Sequence, residues 1–179
     1  MSKIYRVSLI ALFALLFAGL ANGQVNPKPE PTKPVPAVSN HAIFVENERG
    51  QKMSFRAGDL AKLKRVNVKA SAHGQEGVYE GVLLVDVLTL AGVEFGEKLR
   101  GKRLAGYLLV EAADKYQVVF ALAELDPGFT DKVVILADKC DGKPLPENTG
   151  NWQIVVPDEK RPGRWVRQVI SLKIMHAGN

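Results

Sequence analysis

The side chains that could carry out chemistry are few and scattered along the sequence. The chain has one cysteine, Cys140, and three histidines, and no two histidines have the spacing of a metal-binding pair. Glu124 and Asp126 are two residues apart, an arrangement that is typical of a solvated helix end and too common to indicate acid–base catalysis. No serine lies in a nucleophile elbow, and no glycine-rich phosphate loop is present. The sequence therefore predicts no catalytic residue and no metal ligand.

Three features remain as candidates for binding. His73 lies in the small, polar stretch over residues 71–77, which predicts a flexible loop that could form part of a site or simply be solvated. Arg164 and Arg167 belong to a basic segment over residues 160–167 that could hold an anion or form a charged surface. Cys140 has no intrachain disulfide partner, so it is either an idle thiol or a disulfide link to another protein.

The first residues have the three parts of a secretory signal peptide. Lys3 and Arg6 give a basic start, residues 7–20 an apolar centre, and small residues end at Gly23. The alternative is a membrane anchor, but a helix over residues 7–20 rises about 21 Å, and the hydrocarbon core is about 30 Å thick. We therefore predict a cleaved signal over residues 1–23, a periplasmic or secreted protein, and no stable membrane anchor after cleavage.

Residues 24–39 predict a tether that precedes the folded domain. The segment contains five prolines, each of which favours extended geometry, so a Pro-rich linker is expected. A ligand for a proline-binding domain is the alternative. The folded domain is expected over residues 40–179. The net charge of +5 is mild, and no basic run is interleaved with aromatic residues, so no nucleic-acid partner is expected.

The domain alternates between strand-like runs and short helices. Strand patterns cover residues 41–46, 51–55, 65–70, 104–112, 117–121, 132–138, 152–157 and 166–174. Helical patterns cover residues 57–63 and 82–91, with one further turn at 123–126. Gly92 should end the second helix in a left-handed conformation. The apolar run at 132–138 predicts a central strand buried on both faces. The fold class is therefore α+β, with a mixed β-sheet and a few short helices.

Four segments, in order, resemble one known family. Residues 79–93 (YEGVLLVDVLTLAGV) resemble its "GV-L-dlL-aGv" helix, and residues 113–116 its "DGY" turn. Residues 136–157 resemble its "A-NG-pL-hG-P-R-vvP" segment, and residues 164–167 the "K-W-v" start of its last strand. Over roughly residues 44–174 the sequence thus resembles the molybdopterin-binding domain of the sulfite oxidase family. The resemblance implies that domain's fold and, in catalytic members, a molybdenum cofactor.

The sequence departs from the family at the positions that hold the cofactor. The family's molybdenum-binding cysteine ends the strand before the "GV-L" helix, where this chain has Ala70, Ser71 and Ala72. An alanine methyl or serine hydroxyl does not replace an anionic thiolate ligand. Gln153 stands at the position of the family's arginine and lacks its charge and fork geometry, and Lys115 replaces the glycine of "DGY". Molybdenum members of the family leave the cell folded, and the adjacent arginines of that export signal are absent.

These departures predict a scaffold that binds rather than catalyses. The expected function is a non-catalytic binding module for a small anionic or pterin-like ligand, or for a protein partner, with no cofactor. The alternatives are an active molybdopterin-dependent oxidoreductase with an unusual ligand set, and a subunit that docks on a membrane redox partner. The predicted binding residues are Ser71, His73, Lys115, Gln153 and Arg164.

Overall fold

Two β-sheets carry the fold of the computed structural model, which describes residues 42–72 and 74–178. The predicted signal peptide, the predicted Pro-rich linker, His41 and His73 lie outside the described residues. The described strands are β1 (Ile43–Glu46), β2 (Lys52–Phe55), β3 (Arg65–Ala72), β4 (Gln75–Leu83), β5 (Gly106–Ala112), β6 (Gln117–Ala121), β7 (Ile135–Cys140), β8 (Lys143–Pro144), β9 (Gln153–Val155) and β10 (Val169–His176). The described α-helices are α1 (Ala57–Leu60) and α2 (Leu84–Leu90), with short 3-10 turns at Gly96–Lys98, Gly101–Ala105, Leu122–Glu124, Glu147–Thr149 and Pro162–Arg164.

The first sheet is mixed and has the strand order β2-β1-β10-β5-β6. Its β1–β10 pair is parallel, whereas β1–β2, β10–β5 and β5–β6 are antiparallel. The second sheet has the order β3-β4-β7-β8, with β9 also paired to β7, and all of these pairs are antiparallel. The predicted α+β class with a mixed sheet and a few short helices is confirmed.

Helix α2 packs its apolar face into the core. Leu84, Val87 and Leu88 are fully buried, which agrees with the wide apolar face in the sequence. The helix begins two residues later than predicted, because Val82 and Leu83 end β4 and pair with β7. Sheet contacts on both sides of β4 outweigh the helical pattern there. Gly92 has a φ of +81° and follows the helix as expected.

The predicted loop at residues 71–77 is wrong, because the β3–β4 ladder continues through it. Ala70 pairs with Gly77, Ser71 with Glu76 and Ala72 with Gln75, so only residues 73 and 74 remain between the strands. Strand β3 is the edge of its sheet, and small polar residues are tolerated on an edge strand whose outer side faces water.

Strand β7 is a central strand buried on both faces, as predicted, but it begins at Ile135 rather than at residue 132. Ile135, Leu136 and Ala137 are fully buried between β4 and β9. The register slips between Gly81 and Glu80, which makes Asp138 an extra residue on β7. A Cβ atom at Gly81 would stand 2.2 Å from the carbonyl oxygen of Leu136, so only glycine fits at this bulge. Beyond it, the side chain of Cys140 is set opposite Tyr79.

Backbone hydrogen bonds join the two sheets near the start of β10. Ile154 donates from its backbone N–H to the carbonyl of Val166 at 2.9 Å, and Val169 donates to the carbonyl of Trp152 at 3.1 Å. These contacts explain why β10 begins at Val169 rather than at the predicted residue 166. Residues 152–154 and 166–169 therefore lie side by side. No α-helix in the described ranges is long and apolar enough to cross a membrane.

Candidate functional site

A cleft of about 550 Å³ opens where the two sheets meet. Its walls come from the end of β3, the Tyr79 side of β4, the end of β7, the β5–β6 turn, and the loops before β9 and β10. A volume between about 300 and 1,000 Å³ is typical of small-molecule sites. The residues that line it are Ala72, Tyr79, Ala112, Asp114, Tyr116, Cys140, Leu145, Pro146, Thr149, Gln153, Pro162, Gly163, Trp165 and Arg167.

Three aromatic side chains form fixed walls of the cleft. The Tyr79 and Trp165 rings meet edge to face, with centroids 5.4 Å apart and planes at 87°. The Trp165 indole nitrogen donates to the carbonyl of Val156 at 2.9 Å, and the Tyr116 hydroxyl donates to the carbonyl of Gly163 at 2.7 Å. Each ring is thus held by its own contact, and an aromatic surface is presented to a ligand without further ordering.

The thiol of Cys140 faces the same cleft. Cys140 pairs with Tyr79 across β7 and β4, and the two-residue turn that follows has Asp141 and Gly142 at positive φ, as in a tight hairpin. Burial, and then the Asp141 carboxylate, raise the pKa of the Cys140 thiol above its ordinary value. The thiol is therefore kept in its protonated, weakly nucleophilic form at neutral pH.

Gln153 places a nearly buried amide in the cleft. Its side chain is 8% exposed, and no hydrogen-bond partner for its amide exists within residues 42–72 and 74–178. In the same part of the chain, no fully buried side-chain nitrogen or oxygen lacks a partner. The amide of Gln153 must therefore reach the open space of the cleft, where its carbonyl can accept and its NH₂ can donate.

Arg167 supplies the positive charge of the cleft lining. Its side chain is exposed, and among the described residues it has neither an ion pair nor a hydrogen bond. Asp114, the lining residue of opposite charge, is also exposed and accepts a hydrogen bond from the backbone N–H of Tyr116 at 2.9 Å. The rim of the cleft thus carries one free guanidinium and one carboxylate that is engaged in its own turn.

Of the predicted binding residues, the structure places Gln153 in the cleft. Ser71 is exposed on β3, and its neighbour Ala72 contributes to the lining instead. Lys115 has a φ of +74° in the β5–β6 turn, and its ammonium pairs with Glu111 at 3.1 Å outside the lining. His73 cannot be placed, because it lies outside the described residues. Among the four predicted binding residues that the structure describes, only Gln153 lines the cleft.

Arg164 is held in an ion-pair cluster instead of lining the cleft. Its guanidinium donates to Glu124 at 2.9 Å, to Glu159 and to the carbonyl of Val119 at 3.1 Å. The same group lies 4.3 Å from the centre of the Phe120 ring, within the range of a cation–π contact. Arg164 therefore fastens the turn at Pro162–Arg164 to β6, and it reaches the cleft only through the neighbours that it positions.

Sequence reasoning missed most of the lining. Tyr79 was placed at the start of the helix-like segment, Tyr116 in the turn at residues 113–116, and Trp165 at the start of the last strand as a packing residue. Cys140 appeared remote from the end of β3 because it lies 68 positions after Ala72. Pairing of β3 and β7 with β4 brings both onto one cleft. Arg167 belonged to the basic segment, but nothing in the sequence distinguished it from Arg164. Within the described ranges, no cluster of three or more histidine, cysteine, aspartate or glutamate side chains could hold a metal ion.

Comparison with known proteins places the fold. No family model and no curated protein sequence matches the chain. Among solved structures, it is similar to the sulfane dehydrogenase SoxCD from Paracoccus pantotrophus, with a TM-score of 0.58 and 19% sequence identity. The similarity covers 78% of this chain and 39% of that chain. The fold is distantly of the molybdopterin-oxidoreductase type. The present chain spans well under half of that neighbour, so the likeness concerns the fold of this domain alone.

The cleft lining does not fit the molybdopterin cofactor that this type of fold implies. Cys140 is the one thiol of the chain, and it ends β7 rather than β3, the strand whose end holds the molybdenum-binding cysteine in the family that the sequence resembles. Arg167 is the single cation among the described lining residues and the Asp114 carboxylate offsets its charge, so the lining has no net positive charge for a phosphate tail of about −1.5 to −2. We therefore derive no catalytic step through such a cofactor.

Proposed function

We propose that this domain is a non-catalytic binding module of the sulfite oxidase family's molybdopterin-domain type. Its cleft binds a small anionic ligand. One observation carries the proposal: Arg167, without a partner among the described residues, lines a cleft whose aromatic walls are already fixed. A free guanidinium binds carboxylate or phosphate oxygens with charge-assisted hydrogen bonds.

A pair of arginine variants tests the anion site. Isothermal titration with a panel of aromatic carboxylates and phosphates would identify a ligand, and Arg167→Ala should then lower its affinity at least about tenfold, which is about 1.4 kcal/mol. Arg100→Ala is the matched control, because Arg100 is exposed, lies outside the lining and has no side-chain partner among the described residues. Equal effects of the two variants would refute the anion site, since net charge alone would then explain the loss.

Metal content tests the non-catalytic part of the proposal. Protein purified from its native host should contain no stoichiometric molybdenum and show no cofactor absorption in the visible range. One molybdenum per chain, lost in Cys140→Ser, would overturn the proposal in favour of an oxidoreductase with an unusual ligand set. The sulfane dehydrogenase activity of the structural neighbour is not carried over to this chain.

The proposal includes export, on the signal-like pattern of residues 1–23. The mature protein should be recovered from the periplasm or the medium with an N-terminus near Gln24. Replacing two leucines of the apolar centre, Leu15 and Leu16, with arginine should retain the full-length chain in the cytoplasm, because charge in the apolar centre blocks recognition of a secretory signal. Unchanged location in that variant would contradict export by this route.

A further inference from the structure

We infer that the ligand of this cleft is a planar ring with two different ends: a neutral amide-type edge that binds Gln153 at the floor, and an anionic group that binds Arg167 at the rim. This inference rests on the proposed anion-binding function and adds the orientation and chemical class of the ligand. The class is an aromatic carboxamide that also carries a carboxylate.

The floor of the cleft requires both a donor and an acceptor. The Gln153 side chain is 8% exposed, yet its amide has no hydrogen-bond partner among the described residues. The amide reaches the open cleft, where water can bond it, so a ligand that displaces this water must satisfy both halves of the amide or lose affinity. A carboxamide does so with one acceptor and one donor, whereas a carboxylate offers acceptors only.

The rim of the cleft favours a negatively charged group of the ligand, whereas the floor favours a neutral amide. Arg167 is exposed and has no partner in the described ranges, and it is a permanent cation. The backbone bonds from Ile154 to Val166 and from Val169 to Trp152 place Gln153 alongside the segment that carries Arg167. One ligand can therefore contact both side chains, with its neutral end inward and its anionic end outward.

The walls select a flat molecule. The edge-to-face pair of Tyr79 and Trp165 and the ring of Tyr116, bonded to Gly163, share the cleft lining with the amide and the guanidinium. Aromatic surfaces of this kind pack well against planar rings. A planar amide with an anionic substituent thus satisfies the floor, the rim and the walls together.

Three probes of nearly equal shape test the orientation on the native protein. They are 4-carbamoylbenzoate, with one amide and one carboxylate, terephthalate, with two carboxylates, and terephthalamide, with two amides. Isothermal titration should show that 4-carbamoylbenzoate, or its 3-carbamoyl isomer with the shorter spacing, binds at least about tenfold more tightly than either symmetrical compound of the same spacing.

Two variants of Gln153 and one of Arg167 then test which side chain binds which end of the ligand. Gln153→Met, which keeps the length of the side chain and removes the amide, should abolish the preference for 4-carbamoylbenzoate over terephthalate. Gln153→Glu should also abolish the amide's double hydrogen bond, and it provides a second test if the methionine variant is less stable. Arg167→Ala should weaken both acids while leaving the preference between them unchanged.

The outcomes separate this inference from the function on which it rests. If terephthalate binds as tightly as both carbamoylbenzoates and its affinity falls in Arg167→Ala, the anion site stands and the two-ended ligand is wrong. If the affinity of every acid probe is the same in Arg167→Ala as in the native protein, or no probe binds, the proposed anion site fails and the inference fails with it. A preference that persists in Gln153→Met would also overturn the role of Gln153.

Discussion

Arg164 and Arg167 lie three residues apart and have opposite surroundings. The Arg164 guanidinium bonds Glu124 and Glu159 and covers the Phe120 ring, whereas Arg167 has no partner among the described residues. The first arginine therefore stabilises the fold and the second remains free for a ligand.

Arg164→Ala should lower the free energy of unfolding by about 2 kcal/mol, because it removes the guanidinium hydrogen bonds of two partly buried carboxylates, Glu124 and Glu159, and leaves Lys132 as their only cationic partner among the described residues. Arg167→Ala should leave that free energy within about 0.5 kcal/mol of the native value, since exposed positions without contacts tolerate substitution. Urea unfolding followed by circular dichroism gives both numbers. Equal losses in the two variants would show that the ion-pair cluster does not stabilise the domain.

The Glu124 carboxylate should make the domain less stable in acid. Burial alone would raise the pKa of Glu124, but hydrogen bonds from Arg164, the Ala121 N–H and Lys132 leave it below its ordinary value. A carboxyl group whose folded pKa is lowered contributes stability that is fully present above its unfolded pKa, about 4.3, and is lost as pH falls through the folded value.

Thermal unfolding between pH 7 and pH 2 measures this contribution. In Glu124→Gln the melting temperature should be lower at pH 7 and should fall less steeply in acid than in the native protein. Glu147→Gln is the control, because Glu147 is exposed and has no side-chain partner among the described residues. A native acid slope in Glu124→Gln would assign the acid sensitivity to other carboxyl groups.

The Cys140 thiol should react slowly with iodoacetamide at neutral pH. Its pKa is raised by burial and then by the Asp141 carboxylate, so the reactive thiolate is scarce until the pH exceeds the usual thiol pKa of about 8.5. The rate measured against pH should show a midpoint above that of the urea-unfolded chain. In Asp141→Asn the midpoint should move down, while the asparagine oxygen keeps the bond from the Val78 N–H. A native midpoint below that of the unfolded chain would contradict the protonated thiol.

Lys115→Gly should stabilise the domain by about 1 kcal/mol. Lys115 has a φ of +74°, a left-handed conformation that costs a residue with a side chain about 1–2 kcal/mol and costs glycine little. The exposed Lys115–Glu111 pair contributes little in return. Lys115→Ala serves as the control, because it removes the ion pair but keeps the strain. Urea unfolding should rank glycine above the native protein and alanine at or below it.

Elements whose structure depends on residues close together in the sequence could be predicted. The β7–β8 turn follows from Asp141 and Gly142, and the strand over residues 117–121 matches the observed β6. Val82 and Leu83 were assigned to a helix because their strand pairing with β7 depends on residues more than fifty positions away. The same limit hid the cleft, since nothing local shows that Ala72 and Cys140 share it or which arginine meets Glu124.

The position of β10 has a consequence for the order of folding. Strand β10 lies between β1 and β5 in the first sheet, so the earliest and latest strands of the described chain are hydrogen-bonded neighbours. The centre of that sheet cannot form until Val169–His176 has been synthesised, and contacts between such distant segments make folding slow. This delay would keep the nascent chain unfolded while it is still short. For a protein that we propose crosses a membrane before it folds, a late central strand favours translocation over premature folding.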